Sequence, residues 1–143
     1  MSLHTRYDRL TPTEVLILTC LANGLTTVAA AAKLRIKPET LMSRLRGVRL
    51  KVGDGSRAYV LHRCYTQRLL DLPLPAEAPV LFTHEEQRVW NVIATYPTPV
   101  GVPGGATRAA IRALMDKAGA KSEPHLVKLG HQYGLLTGPE PRR

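Results

Sequence analysis

Apolar residues recur at intervals of three and four positions through the first half of the chain, which is the spacing of amphipathic helices. Thr11, Pro12 and Glu14 stand at the N-cap, first-turn and N3 positions of the first segment. Gly24 suits a left-handed helix end, and Thr26 can cap the next helix. The pattern predicts four helices, at residues 12–22, 26–34, 38–52 and 56–70.

A proline-rich segment separates this pattern from a weaker helical pattern in the second half. "DLPLPAEAPV" contains three prolines and favours extended geometry, so it predicts a semi-rigid linker at residues 73–82. The predicted domains are residues 1–72 and residues 83–136, followed by a tail at 137–143. The predicted core of the second domain is Trp90, Ile111, Leu114, Leu126, Leu129 and Leu135.

Both predicted domains are helical, which makes the expected fold all-α. "FTHEE" resembles "LTPTE" at the start of the first helix, and "KSEPHLVKLG" resembles "IKPETLMSRLRG". A degenerate second helix-turn-helix is therefore one alternative for residues 83–136. A winged helix and a small helical bundle are the others.

Charge is unevenly distributed along the chain. The chain carries 20 Lys and Arg against 11 Asp and Glu, a net charge of +9. Residues 1–72 hold 12 basic and 5 acidic side chains (net +7), whereas residues 73–143 hold 8 and 6 (net +2). This excess indicates a polyanionic partner, either nucleic acid or an acidic membrane surface. With neither a long apolar run nor a secretory signal, the sequence predicts a cytoplasmic protein without a membrane partner.

The segment at 38–52 combines a narrow apolar stripe with many cations. On a helical wheel Leu41, Leu45, Val48 and Val52 share one side, which predicts the face that packs on the other helices. The opposite side mixes basic, polar and apolar residues, a composition that suits the major groove of DNA. The predicted base contacts are Met42, Ser43, Arg46 and Arg49, and the predicted phosphate contacts are Thr26, Thr27, Lys37, Thr40, Arg44 and Lys51.

Residues 10–70 resemble the GerE or LuxR-type helix-turn-helix domain without a gap. The matching positions include Leu10, Thr11, Glu14, Leu18, Ala22, Gly24, Leu25, Ala31, Leu34, Ile36, Thr40, Leu45, Lys51 and Gly53. The resemblance implies a scaffold helix at 26–34, a recognition helix at 38–52 and dimerisation through residues 57–70. It also implies a bacterial transcription regulator.

The chain departs from that family at several positions. Thr27, Val28 and Ala29 replace a usual Asn-Lys-Glu run, and Met42 replaces a usual lysine. Lys37 replaces the capping serine and cannot accept the backbone hydrogen bond. "TLMSRLRGV" also resembles region 4 of sigma factors, another helix-turn-helix that reads promoters.

No motif for catalysis, cofactor or metal binding stands out. "GVPGGATR" lacks the Gly-Lys-Ser/Thr ending of a phosphate-binding loop. His84, His125 and His131 are interpreted as scattered surface residues, and Cys20 and Cys64 as core thiols. We therefore expect a non-enzyme without a cofactor or a metal.

The sequence as a whole predicts a sequence-specific regulator of transcription that binds double-stranded DNA, as a homodimer. One alternative is a protein-interaction module in which residues 57–136 dock on RNA polymerase or another regulator. The other is an architectural or recombination accessory protein that bends DNA with modest sequence preference.

Overall fold

A computed structural model describes residues 9–137, and these residues form an all-helical fold. The helices are α1 (Pro12–Ala22), α2 (Thr27–Leu34), α3 (Pro38–Val52), α4 (Arg57–Thr66), α5 (His84–Thr95), α6 (Arg108–Ala118) and α7 (Glu123–Gln132). The described part of the chain contains no strand, only an isolated bridge between Val100 and Ala106. Residues 138–143 of the predicted tail lie outside it.

Side-chain caps fix where the helices begin. The N–H of Thr11 donates to Glu14 Oε1 at 2.8 Å, and Thr11 Oγ1 accepts from the N–H of Glu14 at 3.2 Å, which completes the predicted capping box. Thr83 and Glu86 form a second capping box at the start of α5. Such caps stabilise a helix by about 1 kcal/mol each.

A tight turn joins α2 to α3. Arg35 adopts the left-handed conformation (φ 59°), and the N–H of Ile36 donates to the carbonyl of Ala31. Lys37 is the N-cap of α3 and makes no side-chain cap hydrogen bond, as its chemistry predicts. Ala30 and Ala31 are fully buried, so α2 lies close to its neighbours. The turn brings α2 and α3 into direct contact.

Helix α4 ends four residues earlier than predicted. The sequence predicts a helix to residue 70, but α4 ends at Thr66. Arg68 is left-handed (φ 61°), and the N–H groups of Leu69 and Leu70 both point to the carbonyl of Cys64. These bonds satisfy the last carbonyl groups and turn the chain away from the helix axis.

The two halves of the chain share one hydrophobic core. Helix α4 packs on α3, α5 and α7, and α7 also packs on α1. Buried side chains from both halves, such as Leu61 and Leu126, belong to the same cluster. Trp90 in α5 donates its indole N–H to the carbonyl of Leu126 at 2.7 Å. The proline-rich segment therefore connects two sets of helices that pack directly on each other.

The second half has three helices, and the last of them is less exposed than α3. Left-handed Gly119 ends α6, and Ser122 caps α7. Every residue of α7 is buried or half-buried, whereas α3 fully exposes several side chains of its outer face. Of the predicted core, Trp90, Ile111, Leu114 and Leu126 are buried. Leu129 and Leu135 are only partly buried, and Leu136 occupies the core instead.

Candidate nucleic-acid interface

The inner face of α3 anchors it to the fold. Leu41, Leu45, Val48 and Val52 are at most 2 % exposed, as the wheel predicts. Burying an aliphatic side chain of this size contributes about 1.5–3 kcal/mol. The helix is therefore held rigidly against α1, α2 and α4.

The outer face of α3 is open to solvent. Met42, Ser43, Arg44 and Arg46 are exposed, and no helix of the second half covers them. Neither Arg44 nor Arg46 makes a hydrogen bond or ion pair with another residue in the range 9–137. Three of the four predicted base contacts (Met42, Ser43 and Arg46) thus lie together on an accessible helix surface.

Arg49, the fourth predicted base contact, is half-buried and held within the fold. Its Nε donates to the carbonyl of Gly55 at 3.1 Å and lies 3.6 Å from the exposed carboxylate of Asp54. These contacts direct part of its guanidinium group toward the loop after α3. The helical wheel does not include that loop and could not predict them.

Lys51, a predicted phosphate contact, is paired inside the protein. Its Nζ lies 2.7 Å from Glu14 Oε1 and also donates to the carbonyl of Arg9 at 2.9 Å. The Glu14 side chain is only 6 % exposed, so its charge needs a cation nearby. Lys51 thus neutralises a buried carboxylate between α3 and α1, a role that the sequence does not reveal.

The other predicted phosphate contacts surround α2 and the first turns of α3. Lys37, Thr40 and Arg44 are exposed. Thr26 is exposed and caps α2 by accepting the N–H of Ala29 at 3.0 Å, whereas Thr27 is half-buried. Thr26 and Thr27 thus lie at the start of α2, and the other three lie in the first half of α3 or at its N-cap.

The helix expected to mediate dimerisation is partly covered by the chain itself. Six residues of α4 are buried, namely Ala58, Val60, Leu61, His62, Cys64 and Tyr65. Helices α5 and α7 pack against α4. Within residues 57–70, through which the resemblance implies dimerisation, Arg57, Gln67 and Arg68 remain exposed.

Two histidines meet at the contact between α4 and α7. His62 Nδ1 lies 2.9 Å from His131 Nε2, and the rings stack with centroids 5.0 Å apart. Burial, reinforced by the neighbouring His62, lowers the pKa of His131 to about 4. Burial and the charge of Arg63 lower the pKa of His62. The interpretation of His131 as a scattered surface residue is therefore wrong, because it packs between helices.

The remaining sulfur and imidazole groups have ordinary structural roles. Cys20 and Cys64 are free and buried, as predicted, and burial raises the pKa of Cys64 to about 12. His84 is exposed, and His125 is half-buried with its Nδ1 accepting the N–H of Lys121. Within residues 9–137, no three His, Cys, Asp or Glu side chains are grouped so that they could bind a metal ion.

None of the helices in the described range has the length and apolar character that crossing a bilayer requires. Comparison of the chain with protein-family models, with curated proteins and with solved structures gave no match.

Proposed function

We propose that the protein binds double-stranded DNA and regulates transcription, with α3 as the helix that reads the major groove. The observation that carries this proposal is the exposed row of Met42, Ser43 and Arg46 on a helix whose opposite face is fixed in the core. A helix of 15 residues is about 22 Å long, and the major groove is about 12 Å wide and admits a helix.

Each exposed side chain has a partner chemistry in the groove. The Arg46 guanidinium group can donate two hydrogen bonds to O6 and N7 of guanine. Ser43 can donate or accept a hydrogen bond, and Met42 suits the methyl group of thymine. Arg44, Lys37 and Thr40 would contact phosphates on the groove walls. Lys51 and Arg49 have structural partners and are not needed for this arrangement.

A salt titration tests the proposal. Labelled duplexes selected from a random pool are bound at about 50 mM and about 200 mM salt, with unlabelled competitor DNA present. Binding through phosphates must weaken steeply with salt, and specific binding must survive the competitor. If no selected duplex binds at low salt, the proposal is wrong.

Exposed apolar side chains support a second candidate, a module that docks on another protein. Leu74 and Leu81 in the proline-rich segment are 82 % and 93 % exposed, and Leu72 and Val80 are 45 % and 43 % exposed. Exposed apolar surface of this kind often marks an interaction site. Two results together would favour this candidate. The protein would bind purified RNA polymerase, the double variant Leu74→Ser with Leu81→Ser would not, and no duplex would bind in the titration.

A further inference from the structure

A cleft of about 420 Å³ opens between the two halves, beside the C-terminal half of α3. The N-terminal ends of α2, α4 and α7 line it, with Thr26, Ser56 and Ser122 as their N-caps. Three cationic side chains also line it, Arg49, Arg57 and Lys121. Helix N-termini carry partial positive charge, so the cleft concentrates two kinds of attraction for anions.

Arg57 and Lys121 are available to an external partner. Both are exposed, and neither side chain makes a hydrogen bond or ion pair with the residues that the structure describes. Two carboxylates oppose them, because Glu123 lines the cleft and Asp54 lies 3.6 Å from Arg49. The cleft is thus moderately basic and open, which suits one phosphodiester of an extended chain better than a small, highly charged anion.

The position of Lys121 is fixed from two sides. A Cβ built on Gly24 would lie 2.8 Å from Lys121 Cβ, so only glycine lets this part of the second half approach the α1–α2 turn. Lys128 Nζ donates to Asn23 Oδ1 at 2.6 Å in the same turn. The second half therefore places a cation at a defined point beside the helix-turn-helix.

The cleft lies beside the flank of α3 that carries Arg46 and Arg49. One flank of this helix carries Met42, Arg46 and Arg49, because these residues are four and three positions apart along the chain. Arg49 lines the cleft, where Arg57 and Lys121 follow. A DNA strand lying along this flank of α3 would pass from Arg46 over the cleft and reach the second half.

We propose that the cleft binds a backbone phosphate of the duplex that α3 reads, with Lys121 of the second half and Arg57 of α4 as its contacts. This inference rests on the proposed DNA-binding function. It gives the second half a direct part in binding DNA.

The test compares Lys121→Gln and Arg57→Gln with the control Arg112→Gln, which removes an exposed cation of α6 outside the cleft. Glutamine keeps most of the aliphatic stem and removes the charge. Each cleft variant should weaken binding about three- to tenfold on specific and unrelated duplexes alike, and should reduce the slope of log K against log salt by about 0.9. Arg112→Gln should change neither the affinity nor the slope. Lys121→Arg keeps the positive charge and should show the wild-type slope.

The remaining outcomes distinguish a failure of the cleft proposal from a failure of the proposed DNA-binding function. If Arg46→Ala weakens specific binding but Lys121→Gln behaves like Arg112→Gln, α3 reads DNA and the cleft proposal is overturned. If Lys121→Gln leaves DNA binding intact but removes a thermal stabilisation by inorganic phosphate, the cleft takes a free phosphate and the proposal is overturned. If the wild-type chain binds no duplex, both proposals fail together.

Discussion

Lys51 of α3 and Glu14 of α1 form an ion pair with Nζ and Oε1 2.7 Å apart. The same Glu14 carboxylate accepts the N–H of Thr11, so one buried group closes the first turn of α1 and holds α3 against it. An added Cβ on Gly47 would lie 3.3 Å from Glu14 Oε2, which leaves little room for a larger residue there.

Lys51→Met should destabilise the fold, because it leaves the carboxylate of Glu14 buried without a cation. We expect a loss of about 2–4 kcal/mol in the free energy of unfolding, measured by urea denaturation followed by circular dichroism. The double variant Glu14→Gln with Lys51→Met should recover most of that loss, since it removes the charge and keeps the oxygen that caps α1. A single variant within 0.5 kcal/mol of the wild type would contradict this role for Lys51.

Arg46→Ala and Arg44→Ala should affect DNA binding differently, although both remove an exposed arginine from α3. Arg46→Ala should cost about 1–3 kcal/mol on the selected site and relax the preference at one base pair. Arg44→Ala should weaken every duplex by a similar factor, because a phosphate contact carries no base identity. Anisotropy titrations on the selected site and its single-base variants measure both effects. The same pattern from both variants would contradict the assignment of Arg46.

Acid should destabilise the fold through His62 and His131. Both have lowered pKa values in the folded state, so below pH 6.5 the unfolded chain binds more protons than the folded chain. The contribution of these two histidines to the free energy of unfolding should be fully present above about pH 6.5 and should decline as the pH falls toward 4. Thermal melts across this range measure the decline, for which we expect about 1–2 kcal/mol, reduced by the partial exposure of His131.

Matched variants identify the source of that acid sensitivity. His131→Asn removes one titrating ring from the contact between α4 and α7, and its melting temperature should depend less on pH between 6.5 and 4. His84→Asn removes an exposed histidine and should leave the pH profile unchanged. An identical acid-induced decline in all three proteins would assign the effect to other groups.

Gly130→Ala should destabilise the contact between α5 and α7. A Cβ at this position would lie 2.6 Å from both Trp90 Nε1 and Leu136 Cδ1. Overpacking of this kind costs about 1–3 kcal/mol, against a gain of about 1 kcal/mol in helix propensity. Trp90 is the single tryptophan, so its emission in urea denaturation reports on the site directly.

Gly134→Ala is the control for the same experiment. Gly134 has a positive φ of 71° and open space around its Cα, so alanine there should cost only about 1 kcal/mol of backbone strain. The Trp90 emission spectrum of the folded protein should stay unchanged. A stabilised Gly130→Ala protein would contradict the prediction and show that the side chains of Trp90 and Leu136 can shift to make room for the methyl group.

Features that depend on neighbouring residues in the sequence could be predicted. The capping box of Thr11 and Glu14 involves residues three apart, and the buried stripe of α3 follows from the period of a helix. The exposure of Met42, Ser43 and Arg46 follows from that same period.

Features that join distant residues could not be predicted. Lys51 and Glu14 are 37 positions apart, and His62 and His131 are 69 apart. A helical wheel gives the direction of a side chain but not its neighbour, so the sequence predicts Lys51 as a phosphate contact and His131 as a surface residue. The proline-rich segment correctly predicted a break in the helices, but composition does not tell whether the flanking parts pack together.

The central position of α4 has a practical consequence for work with this protein. A fragment that stops after the proline-rich segment would uncover His62 and Tyr65, because His131 and the two later helices that pack on α4 would be missing. Such a fragment should be prone to aggregation even though it contains the whole of α3, the helix proposed to read DNA. A negative binding result from such a fragment would therefore not test the role proposed for α3.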